Sequence, residues 1–199
     1  MQRFLESLEI DYDTWHDGIG CDLEALDQMT PEDKDKVVDI LREFDESNAW
    51  RNLEALDHIN SNKAKDALKS ALKHPSLQVR ISASRFASDQ EKGRENILIE
   101  ALENAEFYGG LTQALDQIET FHPQKVIDAL LRGLLDRNEE AVNFAAMLYF
   151  IFGKADTSFD WDNRPMFLKF NTDNKTEKEK AFVEFCNILG VDSKKYLNK

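Results

Sequence analysis

The sequence predicts an all-α protein, and three observations carry the prediction. Apolar residues recur at three- and four-residue spacing along most of the chain. Examples are Leu68, Ala71 and Leu72, then Val79, Ala83, Phe86 and Ala87, then Ile97, Leu98, Ala101 and Leu102, and finally Val126, Ala129, Leu130, Leu134 and Leu135. Strict alternation of apolar and polar residues, the mark of a half-buried strand, is nearly absent. Residues that start and stop helices punctuate the periodic stretches. With 42% hydrophobic residues and thirteen Phe, the 199 residues suffice for one compact domain or one short repeat array with a real core.

Helices are expected over 2–8 and 22–29. The second is capped by Asp22 after a tight connection in which Gly18 and Gly20 allow positive φ. Thr30-Pro31-Glu32-Asp33 sets a capping hydroxyl before a proline at the first helical position, with acids in the first turn, and opens 31–44. Periodicity continues through 49–58 and 62–73. Ser76 precedes "LQVRISASRFA" and opens 77–88. Helices over 94–104 and 110–120 flank the turn signal Tyr108-Gly109-Gly110, and 123–136 follows. Asn138 precedes "EEAVNFAAMLYF" and opens 139–152. Its run "FAAMLYFIF" is the longest apolar stretch, half of what a membrane span needs, and reads as a buried helix. The aromatic-rich loop "TSFDWDNRPMFLKF" alternates slightly over 166–170, which suits a short extended segment. Thr176-Glu177-Lys178-Glu179 has the form of a capping box for 177–189, Gly190 stops that helix, and a short turn of helix is expected at 193–197.

Self-similarity accompanies the periodicity. "LEALD" occurs at 23–27 and 53–57, and "DAL" at 66–68 and 128–130, about twice that offset. "ALKSALKHPSLQVRISASRFA" (67–87) resembles a HEAT repeat of the short bacterial kind, with Val79-Arg80 and Ala83 where that pattern wants them. "ALLRGLLDRNEEAVNFAAMLYF" (129–150) is similar, although Val142-Asn143 stands where Val-Arg would be. "ILIEALENAEFYGGLTQALDQI" (97–118) is a more divergent copy. The resemblance implies a HEAT-like α-solenoid of stacked antiparallel helix pairs, with polar N- and C-terminal caps. It implies a single domain over 1–199: an acidic cap over 1–48, repeats over 49–152 and a C-terminal cap over 153–199. In such a stack the arginine of Val-Arg is expected to bond acids or carbonyls of the neighbouring repeat, which gives Arg80 a structural role.

The net charge is −13, and it is unevenly placed. Residues 1–60 hold seventeen acidic and five basic side chains, whereas residues 61–199 hold twenty-one and twenty. A one-sided acidic field repels nucleic acid and anionic lipid and attracts basic protein surfaces. Two distant cysteines, Cys21 and Cys186, make no disulfide framework and suit a reducing compartment. The chain lacks a membrane-spanning run and opens without a secretory-type segment, so a cytoplasmic location is expected.

"DTWHDGIGCDLEALD" (13–27) gathers a histidine, a cysteine and several carboxylates. An EF-hand loop starting at Asp11 would place Trp15 fifth, His16 sixth and Asp22 twelfth, and so fails the calcium pattern. His16 and Cys21 lack a paired zinc scaffold, and no orienting third group accompanies them as base and nucleophile. No phosphate-binding glycine loop, nucleophile elbow or H-E-x-x-H is present. The expectation is therefore no catalytic site, no metal and no cofactor. Trp15 is expected to pack as a lid over the first helix pair.

What remains is a pattern of Asp11, Asp13, Asp17 and Asp22 around Tyr12 and Trp15. Aromatic anchors among carboxylates suit a surface that meets a basic partner. Arg85, on an exposed face that also carries Gln78, Ser82, Thr112, Gln113, Asp116 and Asn143, and Trp161, between Asp160 and Asp162, are further candidate contacts. The chain as a whole is similar to the small HEAT-repeat proteins of bacterial toxin–immunity systems. That resemblance implies a non-enzymatic protein-binding module, monomeric when unbound, that occludes a basic toxin. HEAT-like lyases or chaperones acting on a chromophore or protein substrate are the alternative, with the aromatic 159–170 segment as pocket lining. HEAT-like DNA glycosylases need a basic concave face that this charge balance does not supply.

Overall fold

The computed structural model describes residues 1–12, 16–86, 91–158 and 160–197. Every regular element among them is helical, and no helix there is long and apolar enough to cross a membrane. The chain divides into two compact units, 1–97 and 98–199, so the division falls inside the section that resembles repeats.

The first unit contains α1 (Gln2–Glu6), α2 (Leu23–Asp27), α3 (Pro31–Leu41), α4 (Ala49–Ile59), α5 (Asn62–Ala71) and α6 (Leu77–Ser84). The starts follow the expected chemistry. The Asp22 carboxylate accepts from Ala25 N, Thr30 Oγ1 accepts from Asp33 N, and Ser61 Oγ accepts from Ala64 N. Asn60 ends α4 in the left-handed region at φ 53°, its N–H returning to the Leu56 carbonyl.

Helix α4 organises this unit because it belongs to two apolar clusters. Ala55, Leu56 and Ile59 pack with Phe4, Leu26, Val37, Val38, Leu41, Ala64 and Ala67, while Ala49 and Leu53 pack with Ala71, Val79 and Ala83. Its remaining buried side chains, Arg51 and Asn52, are polar and serve the carbonyls of neighbouring segments. Asn52 Nδ2 donates to the carbonyls of Leu41 and Glu43 and so satisfies the end of α3.

Helix α7 (Glu91–Asn104) spans the division between the units. Beyond it come a π-type turn (Phe107–Leu111), α8 (Thr112–Thr120), α9 (Gln124–Asp136), α10 (Glu139–Ile151), α11 (Arg164–Phe167), a 3₁₀ turn (Leu168–Phe170), α12 (Lys175–Leu189) and α13 (Lys194–Leu197). Gly110 at φ 103° supplies the turn that the Gly-Gly pair forecast. Helices α9 and α10 pack so closely that a Cβ at Gly133 would lie 2.5 Å from the buried Phe144 ring. Phe167, Phe170 and Phe185 are buried beside α10, whose Tyr149 ring meets those of Phe167 and Phe185, with Phe170 and Phe185 edge to face at 5.5 Å.

Three local expectations are corrected. Residues 166–170 are helical rather than extended: Phe167 and Phe170 enter the core at three-residue spacing, after a proline in the first helical turn. Helix α12 starts at Lys175, because Asn174 Oδ1 accepts from Thr176 N and Glu177 N and displaces the expected capping box. Ser82, expected on the exposed face, is buried. Apart from these, Arg80 donates to the His74 and Pro75 carbonyls, at 2.8 and 3.0 Å, in the turn just before its own helix, and these are not its full set of partners.

Candidate protein-interaction site

The acidic segment near the N-terminus begins and ends on one side chain. Arg51 projects from α4, is only 3% exposed, and directs Nη2 at the Ser7 carbonyl (2.5 Å) and the Gly20 carbonyl (3.4 Å). The same neck is tied again by its neighbours. Asp22 N donates to Ser7 Oγ at 3.0 Å, and Ser7 Oγ donates to the Phe4 carbonyl at 2.6 Å. Arg3 Nε meets Asp22 Oδ2 at 2.5 Å. Gly20 passes close over α4, where a Cβ would stand 3.1 Å from Glu54 Oε2.

Between those ends, Asp11, Tyr12, His16 and Asp17 are exposed, Tyr12 by 72%. The rings of Tyr12 and His16 stack at 5.6 Å, and His16 Nδ1 lies 2.9 Å from Asp17 Oδ1. Ile10 and Ile19 are exposed as well. Gly18, at φ 61°, makes the bend that the sequence forecast, and Gly20 does not share that conformation. Asp13 and Trp15 lie outside the described residues, and with them the expected Trp15 lid. Asp22 is a half-buried structural group at the foot of the segment, engaged by the α2 cap and by Arg3.

His16 and Cys21 are not arranged as base and nucleophile. The imidazole is exposed and engaged by Asp17 and Tyr12, whereas the Cys21 thiol is buried and donates to the Arg51 carbonyl at 3.7 Å. Burial pushes the Cys21 thiol up, against the downward pull of the nearby Arg51 charge. Among the described residues, no group of three His, Cys, Asp or Glu side chains is placed to hold a metal ion.

The other candidates stand apart from this segment. Arg85 is exposed at the C-terminal end of α6 in the first unit. Trp161, in the second unit, is 66% exposed with the Arg164 guanidinium 5.4 Å from its ring. Asp160 beside it caps a turn, accepting from Asp162 N, Asn163 N and Asn163 Nδ2, and those bonds, the Asn163 side chain foremost, hold its carboxyl below the usual range. In the same loop segment, Phe167 and Phe170 are consumed by the core. A cavity of about 470 Å³ in the second unit is lined by Arg132, Lys175, Lys178, Asp136, Asp173 and Glu179, a balanced set with no net sign.

Sequence reasoning missed Arg51, although Arg51, Ala55 and Ile59 recur at four-residue spacing on one buried face of α4. It also missed Arg137, whose guanidinium donates to the carbonyls of Leu102, Glu103 and Ala105 at 2.8–3.0 Å and pairs with Glu140.

Comparison with family models, with curated proteins and with solved structures found no match to this chain.

Proposed function

We propose that this chain is a non-enzymatic binding module that recognises a basic protein surface, with Asp11, Tyr12 and Asp17 among its contacts. The carrying observation is the pairing of a strongly exposed aromatic ring, Tyr12, with exposed carboxylates in a stretch of sixty residues that holds seventeen acids and five bases. In this reading the carboxylates accelerate encounter and the ring supplies desolvated contact area that slows release. The burial of the Cys21 thiol and its bond to the Arg51 carbonyl, with His16 engaged by Asp17 instead, favour a binding role over a catalytic one at this segment.

Two finer statements belong to the same proposal. The helix pairs stack as a HEAT-like solenoid, which presents a preformed surface and so reduces the ordering entropy of binding. The partner is a basic toxin, and the chain acts as its immunity protein by occlusion.

The test is kinetic. A protein captured from native lysate is purified, and its association with wild type is compared with two variants: Asp11→Asn with Asp17→Asn, and Glu103→Gln with Glu106→Gln as a charge-matched control in the second unit. The proposal expects the first pair to slow association roughly tenfold at low salt and the control to change it little. Equal effects of the two pairs, or capture of a partner without a basic surface, would overturn it. The immunity reading adds that the captured protein arrests growth when expressed alone and not when co-expressed with this chain.

A further inference from the structure

Arg51 is chemically out of place. It is almost fully buried, yet among the described residues Nε and Nη1 meet no oxygen or nitrogen acceptor, the Cys21 thiol being the weak partner beside the guanidinium, and no carboxylate there pairs with it. Leaving a buried donor unmet is destabilising, and more so for a charged group. Apolar residues of similar volume often replace buried ions with no loss, or with a gain, in stability. Packing alone would favour methionine or leucine at this position, so what arginine adds has to be found in its bonds.

Those bonds go to the two ends of the acidic segment. Ser7 and Gly20 lie thirteen residues apart, and one nitrogen of Arg51 reaches both carbonyls from a helix at the centre of two apolar clusters. The Ser7–Asp22 and Arg3–Asp22 links reinforce the closure from outside, and Cys21 and Leu8 pack in the cluster that α4 shares, but the Arg51 side chain is what bonds the Ser7 and Gly20 carbonyls to α4. Closed ends are what distinguish a compact Ω-type loop from a free tether, and a loop held at its neck loses less entropy when it binds.

We infer that Arg51 is the positioning residue of the acidic segment: it holds the segment's two ends, at Ser7 and Gly20, against α4, so that Asp11, Tyr12 and Asp17 project from a closed neck. This rests on the binding role proposed above. It also makes a prediction opposite in sign to that of electrostatics alone. Arg51→Met leaves the chain one unit more negative, so a field effect by itself strengthens binding to a cation. Loss of positioning weakens it.

The experiment uses the full chain and a fluorescein-labelled nona-arginine peptide, read by anisotropy at about 20 mM salt, where surface charge is least screened. Arg51→Met is expected to weaken binding roughly fivefold or more, and Arg51→Lys, which keeps a charge and several donors, to recover part of that loss. Val79→Ala, which loosens the other apolar cluster of the first unit, one that holds no neck residue, is the stability control and is expected to bind as wild type while folded. Hydrogen exchange provides a readout independent of any partner. Amides over 8–12 and 16–20 should exchange at least about tenfold faster in Arg51→Met, while those of α3 and α5 keep their protection. Unchanged or tighter peptide binding by Arg51→Met, or unchanged exchange at the neck, overturns the inference. If wild type itself fails to bind the peptide, the basic-partner reading falls, and the exchange result alone decides whether Arg51 closes the neck.

Discussion

Gly133 sets how closely two helices of the second unit approach, and one added methyl group tests it. The Cβ of alanine would stand 2.5 Å from a Phe144 ring that has no exposed surface into which to move. Alanine improves helix propensity by about 1 kcal/mol, but overpacking a filled core costs typically about 1–3 kcal/mol or more. Gly133→Ala should therefore lower stability on balance, read as a lower urea midpoint with an unchanged slope; a stabilised variant would mean that the helices can part at little cost. The cysteines give a second prediction at this scale. Burial raises both thiols, Cys186 to about 11 with Asp192 adding to the effect, so neither is an activated nucleophile. In the native chain at neutral pH a thiol reagent should label both slowly, and each should become reactive as its own unit unfolds. Fast native labelling of Cys21 would reopen the possibility of chemistry beside His16.

At the scale of elements, two long-range ties carry the second unit. Arg137 meets the carbonyls at the end of α7 and pairs with Glu140, and the buried Lys178 ammonium of α12 donates to the Arg137 carbonyl and to Asn138 Oδ1. Removing the guanidinium leaves the half-buried carbonyls of Leu102 and Ala105 unmet, so Arg137→Ala should cost about 1–3 kcal/mol in chemical denaturation, above a typical surface substitution. The other tie docks α13 on α9: Asp128 accepts from Tyr196 at 2.7 Å and from Lys195 at 3.1 Å. Burial pushes the Asp128 carboxyl up, but the bonds from Tyr196, Gln124 and Lys195 outweigh it and hold the group below the ordinary carboxylate range. A depressed carboxyl stabilises the fold fully above its unfolded value, near pH 4, and loses that contribution as pH falls through its folded value. Asp128→Asn should thus be less stable than wild type at neutral pH, and the gap should close in strong acid; a gap that widens with acidification contradicts the assignment.

These elements also show what the sequence could reveal. Period and caps located the helices because both act within four residues: Thr30, Asp22 and Gly190 do in the structure what their types forecast. Local grammar failed where two local signals competed, as when Asn174 took the cap from the Thr176 box and when Phe167 and Phe170 turned a weak alternation into a helical pair. The candidate site was legible in its charges and aromatic residues, all of which lie within one short stretch. Its foundation was not, because Arg51 acts on Ser7 and Gly20 across forty-four and thirty-one residues, and nothing local marks such a bond.

For the molecule as a whole, the governing quantity is the placement of a net charge of −13, with nearly all the excess in the first sixty residues. Attraction of this kind weakens with salt and with protonation, so association with a basic partner should slow as pH approaches the sequence isoelectric point of about 4.8. Binding that strengthens on acidification would point to a different kind of partner. The most direct measurement of the proposed function is a hydrogen-exchange footprint of the captured partner on the full-length chain. The account predicts new protection at residues 8–12 and 16–22, with the second unit unchanged; protection confined to residues 98–197, with the acidic segment exchanging as before, would contradict it.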